Sequence, residues 1–285
     1  MSYQQYRPNS FSVLPLVVKN LLIINGLFYL ATLVFQSQLK IDLSDTLGLH
    51  YPLSEKFQPY QFITYMFMHG SFMHIFLNMF GLWMFGTRLE DIWGSKRFLI
   101  YYLFTGIGAA LIHYIIVYFQ TRDTIDFINN YIANPSLENF QLFSNSGYFK
   151  MISQDMIDHF NAIIPTSYNH AINANNAKEA LQISIDYMQS YKTDFLNVPV
   201  VIGASGSVYG ILLARAILFP DELLYLYFAI PVKTKWVVIG LGVYELYKGL
   251  IVTTGDNVAH FAHLGGMLFG FIMIKYWQKR SNRFY

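Results

Sequence analysis

Six apolar stretches, near residues 17–37, 64–87, 98–119, 199–219, 235–252 and 257–276, dominate this sequence. Each approaches the roughly 20 residues a helix needs to cross a bilayer. A segment in lipid must satisfy its backbone hydrogen bonds internally, which here leaves helices. The expected class is therefore an all-α polytopic membrane protein. Only 13% of the 285 residues are charged, against about 25% in an ordinary soluble domain. Cysteine is absent, which excludes disulfides, thiol catalysis and thiolate metal sites. A net charge of +2 is too small to suggest nucleic acid. The first apolar run, Phe11 to Phe35, is too long for a cleavable signal and reads as a membrane anchor.

Six crossings put both termini on one side. Of the 19 Lys and Arg residues, 12 fall in the N-terminal segment, the loop "RLEDIWGSKR", the stretch Arg215 to Lys235 and the C-terminal tail. That excess marks their face as cytoplasmic. The region from Gln120 to Asn197 breaks the pattern: it has eight acidic residues against four basic, many Asn and Ser, and short amphipathic patches such as "AKEALQISIDYM". We expect core helices one to three over 1–119, a soluble, partly helical insertion between helices three and four over 120–197 on the outer side, and helices four to six with a cytoplasmic tail over 198–285. A structureless loop this long is uncommon in a compact domain, so the insertion is either a small subdomain or mobile. The connector "FPDELLYLYFAIPVKTK" is expected to rest on the inner membrane surface.

Polar residues recur at the outer ends of the even-numbered helices. The second carries "HGSFMHIFLN", with His69, His74 and Asn78; the fourth carries "GASGSVYG"; the sixth carries "AHFAHLGGMLFG", with His260 and His263. These helices run the same way, so depth can be counted to the first cytoplasmic basic residue. His74 to Arg88, Ser205 to Arg215 and His263 to Lys275 correspond to about 21, 15 and 18 Å at 1.5 Å per residue. Three distant segments thus set Ser, His and His/Asn in one layer of the outer half. A serine hydroxyl becomes a useful nucleophile when an imidazole takes its proton, and a tetrahedral oxyanion needs donors aimed at it. Ser205 with His263 meets the first need. His74 and Asn78, at i and i+4 on one face, can meet the second with the Ser205 backbone N–H. Gly203 and Gly206 let the backbone approach a substrate closely, Tyr209 is placed to pack on the His263 ring, and Gly266 and Gly270 form a small-residue face for close helix approach.

With these residues together, the sequence resembles the rhomboid family of intramembrane serine proteases. "GASG" is similar to the family's G-x-S-G motif, "HIFLN" to H-x-x-x-N, and "AHLGGMLFG" to A-H-x-x-G-x-x-x-G, in that order at those helix ends. The resemblance covers about 1–119 and 198–276. It implies a six-helix rhomboid-like bundle, Ser205 as nucleophile, His263 as general base, His74 and Asn78 as oxyanion donors, and an aromatic, Tyr209, stacked on the histidine. It implies a Ser–His dyad without a carboxylate, in keeping with the lack of an acid inside "AHFAHLGG". The insertion, and the lack of the Trp-Arg pair many members carry in the first outer loop, are departures that bear on substrate choice.

Other readings compete. Ser205 and Ser207 with their glycines could be packing residues only; Ser207, followed by Val208, lacks the G-x-S-G frame. His260 reads as a capping or substrate-facing residue, His69 as a hydrogen-bonding loop residue, and His113 as a satisfied interhelical histidine. Glu245 is an intramembrane acid and so a functional candidate; its place near a helix end equally fits a residue that only hydrates a gate between helices two and five. On His69, His74, His260 and His263, a metalloprotease would want H-E-x-x-H, which is missing, and a metal carrier would want carboxylates or inverted repeats at the midplane, neither of which is found; no metal or cofactor is expected. The remaining rival is an inactive rhomboid-like protein that binds or escorts transmembrane clients. That class typically loses the serine or the histidine, and both are present here. The expected partners are transmembrane protein substrates and the lipid bilayer. The expected location is a membrane; the lack of cysteine and the compact six-helix core point to a bacterial inner membrane, with both termini cytoplasmic.

Overall fold

The computed structural model describes residues 14–226, 230–251 and 260–280. Arg7 and Arg283, used above to orient the chain, and Ala259 of the last motif lie outside the described residues. The chain is mostly helical. Helix α1 spans Leu16–Val34 and runs into a wider turn at Phe35–Leu39; α2 (Phe72–Gly81) continues through Leu82–Gly86 into α3 (Thr87–Trp93). Then follow α4 (Ser95–Ala133), α5 (Leu137–Ser144), α6 (Gln154–Ile163), α7 (Ala177–Asn197), α8 (Ser205–Leu218), α9 (Thr234–Leu250) and α10 (His260–Arg280). Among the described residues, Leu16–Leu39 and Ser95–Ala133 are long and apolar enough to cross a membrane; Ser205–Leu218 is apolar but shorter. The described parts of the remaining apolar stretches are largely helical, but the helices are short or carry polar residues such as His74, Asn78 and Glu245.

Two expectations are corrected. The third helix does not stop at 119, because residues 120–133 keep a helical period: Thr124, Ile125, Ile128 and Tyr131 are buried along one face of α4. Nor is the chain wholly α. Strands β1 (Leu49–His50) and β2 (Val200–Val201) pair antiparallel, and so do β3 (Leu223–Leu226) and β4 (Ile230–Lys233). Pro231 cannot continue a helix, and the connector satisfies its backbone across a strand pair instead.

The chain divides into two compact units, one made of 1–44, 62–111 and 202–285 and the other of 45–61 and 112–201. The second thus takes in residues 45–61 and the end of α4 as well as most of the expected insertion. Its interior is aromatic: Tyr131, Phe140, Phe143, Tyr187, Tyr191 and Phe195 belong to one buried cluster. Two of the three phenol oxygens are bonded, whereas Tyr187 Oη is buried with no hydrogen-bond partner among the described residues. Tyr131 Oη lies 2.6 Å from Ser184 Oγ, and Tyr191 Oη bonds both the N–H and the C=O of Lys150 at 2.9 Å. Burial pushes the Tyr191 phenol up to about 12.

In the first unit, the start of α1 is held by a side chain far along the sequence. The buried Glu90 carboxylate accepts from Val17 N and Val18 N at 2.9 and 2.8 Å, and from Ser95 Oγ at 2.6 Å. It satisfies two of the helix's orphan donors and sets negative charge at the positive end of the dipole. At the foot of α8, Glu222 bridges Arg88 (2.6 Å) and Arg215 (2.7 Å), and both guanidinium groups lie over the Phe219 ring. Nearby, Lys233 and Lys235 each bond Asp221 at 2.9 Å and hold its carboxyl down at about 2. Arg88 and Arg215 therefore mark one level, so the sequence counts from them to His74 and Ser205 start from a common plane.

Helices α8 and α10 touch along their backbones. A Cβ on Gly266 would sit 1.9 Å from the Gly206 carbonyl oxygen, and one on Gly270 would meet Tyr101 Oη at 2.3 Å. On the facing side, a Cβ on Gly206 would lie 2.4 Å from Ala109 Cβ. Replacing Glu90 by Ala is expected to lower unfolding stability by about 2 kcal/mol, because two N–H donors lose a charged acceptor; a denaturation midpoint in detergent equal to wild type would remove Glu90 from this role.

Candidate active site

Ser205 is the first residue of α8. Its helix is capped by Ala204, whose side chain offers no acceptor, so the first-turn N–H groups remain directed outward at the positive end of the helix dipole. The preceding turn depends on Gly203. Its φ is +122°, a conformation that L side chains rarely adopt, and a Cβ there would lie 2.7 Å from His74 Nε2. Gly203 N donates to Tyr65 O at 2.8 Å, which ties this turn to the segment ahead of α2. The turn thus brings a half-buried His74 ring against the backbone beside a half-buried Ser205.

The Ser205 hydroxyl lies 2.7 Å from His263 Nε2. Tyr209, one turn along α8, stacks on the His263 ring with centroids 4.3 Å apart and planes at 5°. Both contacts depend on the glycine approach of α8 and α10 just described. Ser207 is occupied elsewhere: fully buried, it donates to the Tyr102 carbonyl at 2.7 Å and joins α8 to α4. Asn78 is buried in α2, and its Nδ2 donates to the His74 carbonyl at 3.0 Å, leaving one amide hydrogen free of that bond. The structure therefore joins Ser205, His263 and Tyr209 directly, sets His74 beside Gly203, and places Asn78 one turn below His74. His69 is buried, with Nδ1 3.3 Å from Phe67 O and its ring 5.0 Å from that of His74. His113 falls in the second unit.

Glu245 departs most from the sequence reading. It neither hydrates a gate nor faces solvent: its side chain is 3% exposed. Its carboxylate accepts from the Tyr209 hydroxyl and lies 2.6 Å from His260 Nδ1 and 3.0 Å from His263 Nδ1. His260 is likewise buried and turned to this carboxylate instead of acting as a cap. The sixth motif contains no acid, and the acid that meets its histidines comes from α9. A signal was available: Glu245 is the one acidic residue in the apolar stretch 235–252, and intramembrane acids usually face partners.

The sequence profile of the Rhomboid domain matches residues 56–125 and 175–280. This chain belongs to the Rhomboid family and is accordingly a membrane protein. The unmatched residues between those segments fall within the expected insertion. Among curated proteins it is similar to three from Arabidopsis thaliana. Rhomboid-like protein 11, chloroplastic, is 38% identical over 58 residues, 20% of this chain and 21% of that protein. Rhomboid-like protein 15 is 27% identical over 106 residues, 37% and 26% of the two chains. RHOMBOID-like protein 6, mitochondrial, is 34% identical over 55 residues, 19% and 18%. The matches span about a fifth to a quarter of these relatives' lengths. As plant proteins they lend no support to a bacterial inner membrane.

Gly203→Ala is expected to destabilise the protein by about 1–3 kcal/mol through the strained φ, with further loss from displacing His74. Gly26→Ala in α1, where a Cβ would meet nothing within 4 Å, is the control and should leave stability unchanged or raise it by about 0.5–1 kcal/mol. Thermal denaturation of the two variants in one detergent tests the contrast; equal midpoints would show that the turn tolerates a side chain.

Proposed function

We propose that this chain is an intramembrane serine endopeptidase that hydrolyses peptide bonds in or near transmembrane helices of membrane-protein substrates. The observation that carries this reading is the 2.7 Å contact between Ser205 Oγ and His263 Nε2 in a chain of the Rhomboid family. Ser205 Oγ attacks the scissile carbonyl carbon while His263 Nε2 takes its proton. The C–N bond then breaks, the proton passes to the leaving amine, and a water activated by the same imidazole hydrolyses the acyl-enzyme. The developing oxyanion is stabilised by the Ser205 N–H at the start of α8, together with His74 and Asn78. Tyr209 keeps the imidazole facing the serine.

The substrate helix has to unwind locally to present an extended bond, so small or helix-breaking residues are expected at the cleavage site. Water reaches Ser205 through an outward-opening cavity in a six-crossing core, with both termini on the cytoplasmic side. The segment within 120–197 is proposed to lie on the outer side, where it can meet a substrate's extramembrane part. The organisation, partners and orientation rest on the distribution of basic residues and on family membership.

Cleavage of a labelled single-pass transmembrane peptide in detergent tests the reading. Ser205→Ala and His263→Ala should abolish chelator-insensitive cleavage, and a fluorophosphonate should label Ser205 in wild type only. A wild type that neither cleaves several such peptides nor takes up the probe would point to a non-proteolytic, client-binding protein. Asn78→Ala should lower kcat by about 10-fold or more with little change in KM, since one oxyanion donor is lost while others remain. An unchanged kcat would exclude Asn78 from the oxyanion site.

A further inference from the structure

We propose that Glu245 completes a Ser205–His263–Glu245 relay, as a positioning residue that fixes the His263 tautomer and holds the imidazolium formed during attack. This rests on the proteolytic reading above and goes beyond a two-residue mechanism. His263 Nε2 can accept the Ser205 proton only if the ring carries its own proton on Nδ1. The carboxylate oxygen 3.0 Å from Nδ1 supplies the charge that favours that tautomer. It lies off the axis of an N–H at Nδ1, which has no in-line acceptor among the described residues. The contact in the resting state is thus chiefly electrostatic, and it strengthens when the ring becomes cationic. Glu245 itself stays a carboxylate throughout, because the proton moves only between Ser205, His263 Nε2 and the leaving amine.

The carboxylate is fixed from three sides. One oxygen accepts from the Tyr209 hydroxyl, and the other faces both His260 Nδ1 and His263 Nδ1. Tyr209 therefore acts twice, its ring against His263 and its hydroxyl on Glu245. His260 and His263, three apart on α10, lie on one helical face, and Glu245 projects to both from α9. The same three side chains offer ligand atoms within 4.8 Å of one another, as a metal site would. Glu245 Oε2 and His260 Nδ1, 2.6 Å apart, are hydrogen-bonded directly. Among the described residues, the charged or titratable groups facing His263 are Glu245 from α9, His260 from its own helix, Tyr209 from α8 and His74 from α2.

The test compares kcat and KM against pH for wild type and the isosteric Glu245→Gln, using the transmembrane peptide, with Glu245→Asp as the conservative variant. Glu245→Gln should lower kcat by about 10²-fold, less than the ~10⁴-fold of an in-line carboxylate, with KM little changed. Its pH profile should differ from that of wild type, a change that loss of a merely structural contact would not produce. Glu245→Asp should recover part of the rate. As a readout independent of any substitution at 245, ¹⁵N-histidine spectra of wild type should show His263, identified by its loss in His263→Ala, as the Nδ1–H tautomer. Cleavage that needs Ser205 and His263 but has the same rate and pH profile in Glu245→Gln overturns the relay and leaves the protease standing. An Nε2–H tautomer for His263 also overturns it. Absence of both cleavage and probe labelling in wild type overturns both readings.

Discussion

The structure of the site depends on two helix backbones being allowed to touch. Gly266 on α10 faces the Gly206 carbonyl on α8 so closely that even a methyl group would overlap it. In lipid there is no hydrophobic gain from joining two apolar helices, so association comes from close van der Waals contact and interhelical hydrogen bonds. The glycines supply the first. The Ser205–His263 contact and the Glu245 cluster supply the second, and neither could form at the separation that larger side chains would impose.

The same small-residue surface also sorts the two serines. Ser207 is turned into the protein, where its hydroxyl bonds a carbonyl of α4, and Gly106 beneath it leaves room for that contact. Ser205, two residues earlier, sits at the helix start, where its side chain is half-buried and the local N–H groups are unpaired within the helix. Position along one helix therefore separates a packing hydroxyl from a chemically available one. Polar groups in this layer are costly to desolvate; mutual pairing among Tyr209, Glu245, His260 and His263 offsets that cost.

Charges at the opposite end of the first unit do a different job. Glu222 draws Arg88 and Arg215 to one level, and Glu90 caps the beginning of α1. Glu90 satisfies N–H groups that helix geometry leaves without partners, and Glu222 pairs two guanidinium groups. The core of the second unit is a cluster of aromatic rings, with the Tyr131 and Tyr191 phenols bonded to serine and backbone. That difference matches composition, since residues 112–201 include the polar stretch in which no apolar run reaches membrane length.

Several features were legible in the sequence because they follow from local rules. Apolar length marked the two helices that are long enough to cross a membrane among the described residues, Leu16–Leu39 and Ser95–Ala133, and motif spacing singled out Ser205, His263 and Tyr209, whose meeting needs only that two helices run side by side at similar depth. The boundary at 119 was misplaced because the end of α4 buries its apolar face while turning polar residues outward, so its mean polarity imitates a loop. The short strand pairs were missed because two- to four-residue pairings carry no periodic signal. Glu245 was seen as an intramembrane acid but assigned to the wrong neighbours. Spacing along a helix decides which residues share a face, and so it set Ser205 and Tyr209 together on α8 and His260 and His263 together on α10. Only the tertiary structure decided that α9 turns its acid toward α10, because that choice depends on interhelical packing, which no spacing within one helix encodes.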